Sequence, residues 1–272
     1  MKWAGLTDVG RKRAGNEDNL LMLGDVGLFL VADGMGGHAG GEIASQMLVD
    51  TVREVVAQIS GGDEDITWPD LAREMELDKE TPSMVRLACS AITHGSFRVW
   101  ERSQSDLHLK EMGTTVVCLV LTPGTAHTVH AGDSRCYRLR GKELTCLTTD
   151  HSMYAEYVRG CRARGEEPAP AEDFMYRNVI LRAAGLKPTV KLELNKHQAE
   201  PGDLFLLCSD GLTGELSDTT IRRTLLAHLH DADARTRELR SRFDADACVR
   251  ALVRKANAHG GKDNITCIVV QV

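Results

Sequence analysis

The stretch Phe29-Leu30-Val31-Ala32-Asp33-Gly34-Met35-Gly36-Gly37-His38-Ala39-Gly40-Gly41 decides how the chain is read. An apolar run ends abruptly in a carboxylate, and a glycine-rich loop begins. The run from Gly27 to Ala32 is too short for a helix and reads as a buried strand. Asp33 is then expected at the strand end, on a rigid support. Gly34 has no Cβ, so a ligand or ion can come close to its backbone. A carboxylate beside an accessible carbonyl is a hard-oxygen site suited to Mg²⁺ or Mn²⁺. A tight strand–helix turn capped by an Asp fits these residues too.

Working outward, the same pattern returns. Leu204-Phe205-Leu206-Leu207-Cys208-Ser209-Asp210-Gly211 is another apolar strand ending in Asp-Gly. Val129-His130-Ala131-Gly132-Asp133-Ser134 puts an Asp after a strand, Asp263-Asn264 precedes Ile265–Val272, and Glu17-Asp18-Asn19 precedes Leu20–Leu23. Acids at five separate strand ends predict one pole of the fold where they collect around metal ions. Arg13 lies five residues before Asp18 and can supply a two-pronged grip on phosphate.

Composition narrows the alternatives. The 272 residues suit one large domain or two small ones, with room for a sizeable core. The net charge of −6, with both signs interspersed, argues against nucleic acid as a partner. Membrane-length apolar runs are absent, and Met1-Lys2-Trp3-Ala4 does not open a signal peptide, so a cytoplasmic protein is expected. The eight cysteines lack Cys-x-x-Cys spacing and read as small buried hydrophobes.

In chain order, strands are predicted at Trp3–Thr7, Leu20–Leu23 and Gly27–Ala32, then a helix over Gly41–Ile59. An acidic excursion at 61–82 and a helix at Ser83–Ser103 follow. Thr115–Leu121, Ala126–Ala131, Cys136–Leu139 and Glu143–Leu147 read as an antiparallel meander. A polar insertion at about 150–178 contains a helix-like piece, Met153–Arg164, and resembles a flap. Val190–Leu194 and Asp203–Cys208 read as a strand pair, followed by helices at Asp218–His230 and Ala245–His259 and a closing strand. Paired helices and hairpin-linked strands predict an α+β architecture, with two antiparallel sheets packed together and helices outside.

The chain resembles the metal-dependent serine/threonine protein phosphatases of type 2C (PPM), in their bacterial form. Seven motifs carry the resemblance in order: Thr7–Asp18, Val31–Gly37, Met112–Thr115, Ala131–Arg135, Leu147–Ser152, Ser209–Leu212 and Lys262–Thr266. The resemblance implies a four-layer αββα sandwich in a single domain over 1–272. It implies Asp33 as the carboxylate bridging two tightly held Mn²⁺ or Mg²⁺ ions, and the Gly34 carbonyl as a ligand. Asp210 and Asp263 complete the centre, Asp18 and Glu17 reach the ions largely through water, and Arg13 grips phosphate. A third, weaker ion is implied at Asp133. Many relatives carry a protonating His after the Asp-Gly pair; Met35 stands there in this chain. A metal-held water, or His38, is left as the acid.

The implied reaction is hydrolysis of phosphoserine and phosphothreonine in proteins by a metal-activated water. The expected partners are phosphorylated proteins, among them a Ser/Thr kinase and its targets, and the expected state is a monomer. An inactive phosphoprotein-binding module and a small-molecule phosphomonoesterase remain open at this point. Cys248 and Arg254 have the spacing of a cysteine phosphatase but fall inside a predicted helix, without a phosphate-cradling loop.

Overall fold

Leu28, Leu30 and Ala32 face one way, Phe29 and Val31 face the other, and all five are fully buried. A strand dry on both faces explains why this run is apolar throughout rather than alternating. In the computed structural model, which describes residues 1–36, 39–60, 77, 80–230 and 242–272, such strands form the middle of a layered structure.

The strands are β1 Lys2–Asp8, β2 Asp18–Leu23, β3 Leu28–Met35, β4 Gly113–Thr114, β5 Val116–Thr122, β6 Thr125–Ala131, β7 Arg135–Arg140, β8 Glu143–Cys146, β9 Glu193–Gln198, β10 Leu204–Cys208, β11 Leu229–His230, β12 Arg242–Phe243 and β13 Ile265–Gln271. The helices are α1 Gly40–Ser60, α2 Ser83–Ser105, α3 Met153–Ala163, α4 Asp210–Thr213, α5 Asp218–Ala227 and α6 Ala245–His259. One sheet has the order β1-β13-β10-β7-β8 and the other β2-β3-β5-β6-β9, with β4 added to the end of β3. Their pairings are antiparallel.

Three apolar layers lie between four layers of structure. Leu48, Val52, Val55 and Val56 of α1 and Val85, Ala88 and Ile92 of α2 pack on Leu28, Leu30, Cys118 and Val129. Phe29, Val117 and Leu119 meet Phe205, Leu207, Ile268 and Val270 between the sheets. Leu204, Leu206, Cys267 and Val269 pack on Ile221 and Leu225 of α5 and Cys248, Val249 and Leu252 of α6. This is the αββα sandwich that the resemblance implied.

Several expectations need correction. Asp33 is not the end of its strand: β3 continues through Gly34 and Met35 because β4 pairs across them, Gly34 with Thr114 and Met35 with Gly113. Asp210 opens the short helix α4. The four-strand meander is two hairpins in different sheets, β5–β6 and β7–β8. The strand expected at Val190–Leu194 runs over Glu193–Gln198, and it is not paired with β10. It lies beside β6, while β10 lies between β7 and β13. Period-two patterns fix which face a side chain takes, but not which sheet receives the strand. Cys146 is exposed, and the other seven cysteines are buried. The excursion at 61–82 falls mostly outside the described residues, as does His38.

Phe205, wholly buried between the sheets, tests how far the sandwich depends on that layer. Phe205→Ala is expected to cost about 3–5 kcal/mol. Urea unfolding followed by circular dichroism measures it, and a loss under 1 kcal/mol would mean that the layer repacks.

Candidate metal centre

The register of β2 against β3 sets Asp18 directly opposite Asp33. Asp33 shares the face of Phe29 and Val31, so it points toward the other sheet just beyond the apolar layer. The facing sheet delivers Asp210 at the end of β10 and Asp263 before β13. Asp133 follows β6. Acids from five separate segments therefore converge: Asp33 feels the charges of Asp18, Asp210, Asp133 and Asp263.

Polar contacts behind the acids fix them. Ser209 Oγ donates to Asp18 Oδ2 at 2.8 Å and accepts the Thr266 N–H at 3.0 Å. The Asp33 carbonyl accepts Thr115 N–H at 2.8 Å and Thr114 Oγ1 at 3.0 Å. Thr115 Oγ1 lies 2.8 Å from Ser134 Oγ, linking the Asp33 strand to the Asp133 turn. Asn264 Oδ1 accepts Glu17 N–H at 2.9 Å, and its Nδ2 donates to Val9 and Gly15 carbonyls at 3.0 and 2.9 Å. One buried amide thus pins the turn that carries Arg13. Sequence reasoning assigned no role to Ser209, Asn264 or Thr115; each lies inside or beside a quoted motif, but its partners are far away along the chain.

Close approach is enforced at two glycines. A Cβ on Gly34 would lie 2.1 Å from the Gly41 carbonyl and 2.6 Å from that of Glu17. On Gly211 it would lie 1.9 Å from the Asn264 carbonyl. Neither position can take a side chain without moving the backbone that carries the acids.

The electrostatics are those of carboxylates crowded together. Burial, then the neighbouring acids Asp18, Asp210, Asp133 and Asp263, hold Asp33 well above the ordinary carboxylate value. Burial raises Asp18 to about 6, against the lowering hydrogen bond from Ser209. Burial and the charge of Asp210 raise Asp133 to about 7. Asp210 is also raised, by burial and then by Asp263. Arg13 Nη2 contacts Asp263 Oδ2 at 2.7 Å, and Glu17 and Asp33 add to the field on the guanidinium.

Two oxygens decide what the cluster fits. Asp18 Oδ1 and Asp133 Oδ1 are buried and find no hydrogen-bond partner among the described residues. Buried acceptors without donors are costly, and cations remove that cost. The donor set is oxygen throughout, as Mg²⁺ and Mn²⁺ prefer. Arg135 makes no hydrogen bond to Asp133, because its fork is committed to Asp150, and its charge is the smallest of the influences on that carboxyl. The carboxylates of Asp18, Asp33, Asp133, Asp210 and Asp263 thus act on one another as a set of oxygens of the kind hard divalent ions choose, with Arg13 on Asp263 at its edge. Cys248 is buried in the α6 face, its thiol pushed up to about 12, and takes no part.

The comparisons agree with this chemistry. The model of the family described as protein phosphatase 2C matches residues 11–254. The serine/threonine phosphatase Stp of Listeria monocytogenes is 31% identical, with 97% of this chain and 93% of that one covered. The protein phosphatase PhpP of Streptococcus pneumoniae is 32% identical, with 98% and 96% covered. Among solved structures, the Mycobacterium tuberculosis phosphatase PstP/Ppp superposes with a TM-score of 0.75 at 28% identity, covering 100% of this chain and 98% of that one. The catalytic domain of PstP in complex with two manganese ions gives 0.74 at 29%, covering 99% and 97%.

Raised acids make the metal-free fold sensitive to pH. In the window between the ordinary value of 3.8 and the folded values of about 6 and 7, the folded chain keeps protons that the unfolded chain gives up. Stability therefore falls as pH rises through that window, and is unaffected by these groups below it. Melting temperatures in chelator should decline from about pH 4 to about pH 7, and less so in Asp18→Asn. Added Mn²⁺ should raise the melting point more at the upper end of the window. Equal slopes for both proteins would show that Asp18 is not strained by its charge.

Proposed function

The chain belongs to the protein phosphatase 2C family, and from that premise we propose that it removes phosphate from phosphoserine and phosphothreonine of proteins at the acid cluster around Asp33. The observation that carries the reading is the convergence of five mutually repelling aspartates on one edge of the sandwich, two of them with orphaned oxygens.

Asp33, Asp210, Asp263 and the Gly34 carbonyl would hold a pair of Mn²⁺ or Mg²⁺ ions, with Asp18 and Glu17 orienting water at their rim and Asp133 holding a third, weaker ion. When bound, such ions supply a water acidic enough to attack at neutral pH and neutralise the phosphate. Ser209 has its hydroxyl committed to Asp18, and Cys248 lies in the core, so neither is a free nucleophile. Direct transfer to water follows, without a phosphoenzyme. Arg13 is half-exposed and cationic, and with Asp263 given over to an ion its fork would be free to grip the substrate's remaining oxygens.

The complete set of acids favours an active enzyme over a binding module that recognises without cleaving. The relatives' names, a serine/threonine phosphatase and a protein phosphatase, favour phosphoproteins over small phosphate esters. Opposition to a Ser/Thr kinase, action as a monomer and a cytoplasmic setting complete the proposal. Among the described residues, no helix is long and apolar enough to cross a membrane.

The test is hydrolysis of phosphoserine and phosphothreonine peptides with Mn²⁺, Mg²⁺ or chelator, in ¹⁸O water. One solvent oxygen should enter each phosphate, and chelator should stop the reaction; a trapped phosphoenzyme or full activity in chelator would overturn the reading. Asp33→Asn should lose nearly all turnover while keeping the fold. Arg13→Ala should raise KM about 10- to 100-fold, the worth of a charged hydrogen bond. An unchanged KM and kcat in that variant would remove Arg13 from the phosphate site.

A further inference from the structure

The turn that carries Asp133 is held by the two residues that begin the polar insertion. Arg135 stands two positions from Asp133 and is its nearest cation along the chain. Its fork is turned elsewhere: Nε and Nη2 donate to Asp150 Oδ1 and Oδ2 at 2.8 and 2.7 Å, and Nη1 donates to the Tyr137 hydroxyl at 3.2 Å. A guanidinium paired on two prongs by one carboxylate has its strongest contacts spent.

His151 grips the residue before Asp133 from both sides. Its N–H donates to the Gly132 carbonyl at 2.9 Å, and its Nδ1 accepts the Gly132 N–H at 3.2 Å. Gly132 has φ +119°, and a Cβ there would lie 2.6 Å from Thr115, so this peptide has little freedom of its own. Because Nδ1 accepts, the single proton of the neutral ring sits on Nε2, which meets Glu193 Oε2 on β9 at 3.1 Å. The ring stacks on His130 at 4.6 Å and 4°, and His130 Nε2 meets the Thr149 carbonyl at 3.0 Å. The His151 carbonyl accepts Leu181 N–H at 2.7 Å, and Ser152 bridges to Ile180. Both ends of the insertion are thus fastened at His151 and Ser152, through main chain as well as through the ring.

His130, His151 and Glu193 have ligand atoms within 4.8 Å of one another, a spacing that a metal ion can use. Two contacts oppose that use. An ion on His151 Nε2 would have to displace the ring's only proton. Arg182 Nη1 also stands 3.0 Å from the same nitrogen and puts a fixed positive charge there. The group is better suited to holding backbone than to holding metal.

We propose that Asp150 and His151 are positioning residues for Asp133. Asp150 holds the Arg135 fork away from the Asp133 carboxylate, and His151 fixes Gly132 on both sides, its ring holding the N–H and its main-chain N–H holding the carbonyl, so the attachment of the insertion sets the affinity of the weak cation site. The proposal rests on the reading of Asp133 as a cation ligand, and the test separates the two. Mn²⁺ binding to the full chain is measured by calorimetry and by electron paramagnetic resonance, with Asp133→Ala as reference. Asp133→Ala should lose the weak class of sites and keep the tight one.

Asp150→Asn and His151→Gln should each weaken the weak class about tenfold, the scale of a lost charged contact, with the tight class unchanged. His151→Asn restores an acceptor near the Nδ1 position and should recover most of the loss. Arg135→Gln in the Asp150→Asn background should also recover it, because the cation released by the first change is gone. In metal-free protein, amide exchange at Gly132, whose N–H the ring accepts, should quicken about tenfold in His151→Gln and not in Asp133→Ala.

A weak class lost in Asp133→Ala but intact in both Asp150→Asn and His151→Gln overturns the proposal. A weak class intact in Asp133→Ala overturns the reading beneath it. Loss of both classes together in either positioning variant, or an Asp150→Asn defect that Arg135→Gln leaves untouched, means general structural damage and also overturns it.

Discussion

The crowding of carboxylates at one edge of the sandwich, where burial first and repulsion second hold them above their ordinary values, is the constraint on which the rest of the molecule depends. Asp33 is raised by burial and then by four other aspartates. The strain has to be held by something else. Three apolar layers do so, pinning the strands whose ends carry the acids. In the absence of cations the cluster is quieted by protons and by the contact between Arg13 and Asp263. Both are replaceable, which is what a metal site requires: they make the cluster tolerable without making it inert. Stability is given up at the site and recovered in the core, the usual division in enzymes.

The polar groups behind the acids do a different job, because they decide where each oxygen stands. Ser209 joins Asp18 of one sheet to Thr266 of the other through a single hydroxyl. Asn264 uses both ends of its amide to hold Glu17 and the turn between Val9 and Gly15. These groups are fully satisfied, whereas Asp18 Oδ1 and Asp133 Oδ1 are not. Within one small region the structure therefore separates positioning atoms, whose bonds are complete, from atoms left for a ligand. A buried polar network of that kind specifies geometry at little cost, since every donor in it has its acceptor.

Much of this was legible in the residues, for a physical reason. Strands dry on both faces must be apolar along their whole length, so Leu28–Ala32 and Leu204–Cys208 stood out, and the acids beyond them had few structural explanations. The limits are equally physical. Nothing local told β3 to run on past Asp33, because that depends on Gly113 and Thr114 arriving to pair with Gly34 and Met35. Nothing local separated β9 from β10 into different sheets. Asn264 reads as a polar residue after an Asp until its partners, more than two hundred residues earlier in the chain, are in place. His151 was visible in a motif, yet its tautomer follows only from the Gly132 amide that faces it.

The location of the insertion follows from the same topology. β8 and β9 are edge strands of opposite sheets, so the chain between them must cross the sandwich. Such a crossing already has to be long, and lengthening a loop adds closure entropy only slowly. Extra residues are therefore tolerated there more readily than in the tight hairpins β5–β6 or β7–β8. The start of the crossing also passes the turn after β6, where Asp133 stands. Asp150 and His151 contact that turn before the insertion leaves the surface, and Leu181 returns to the same point. A segment anchored in this way can vary its outer sequence while its root keeps the geometry of the acid next to it. That joins adaptable surface to fixed chemistry through one histidine and one ion pair.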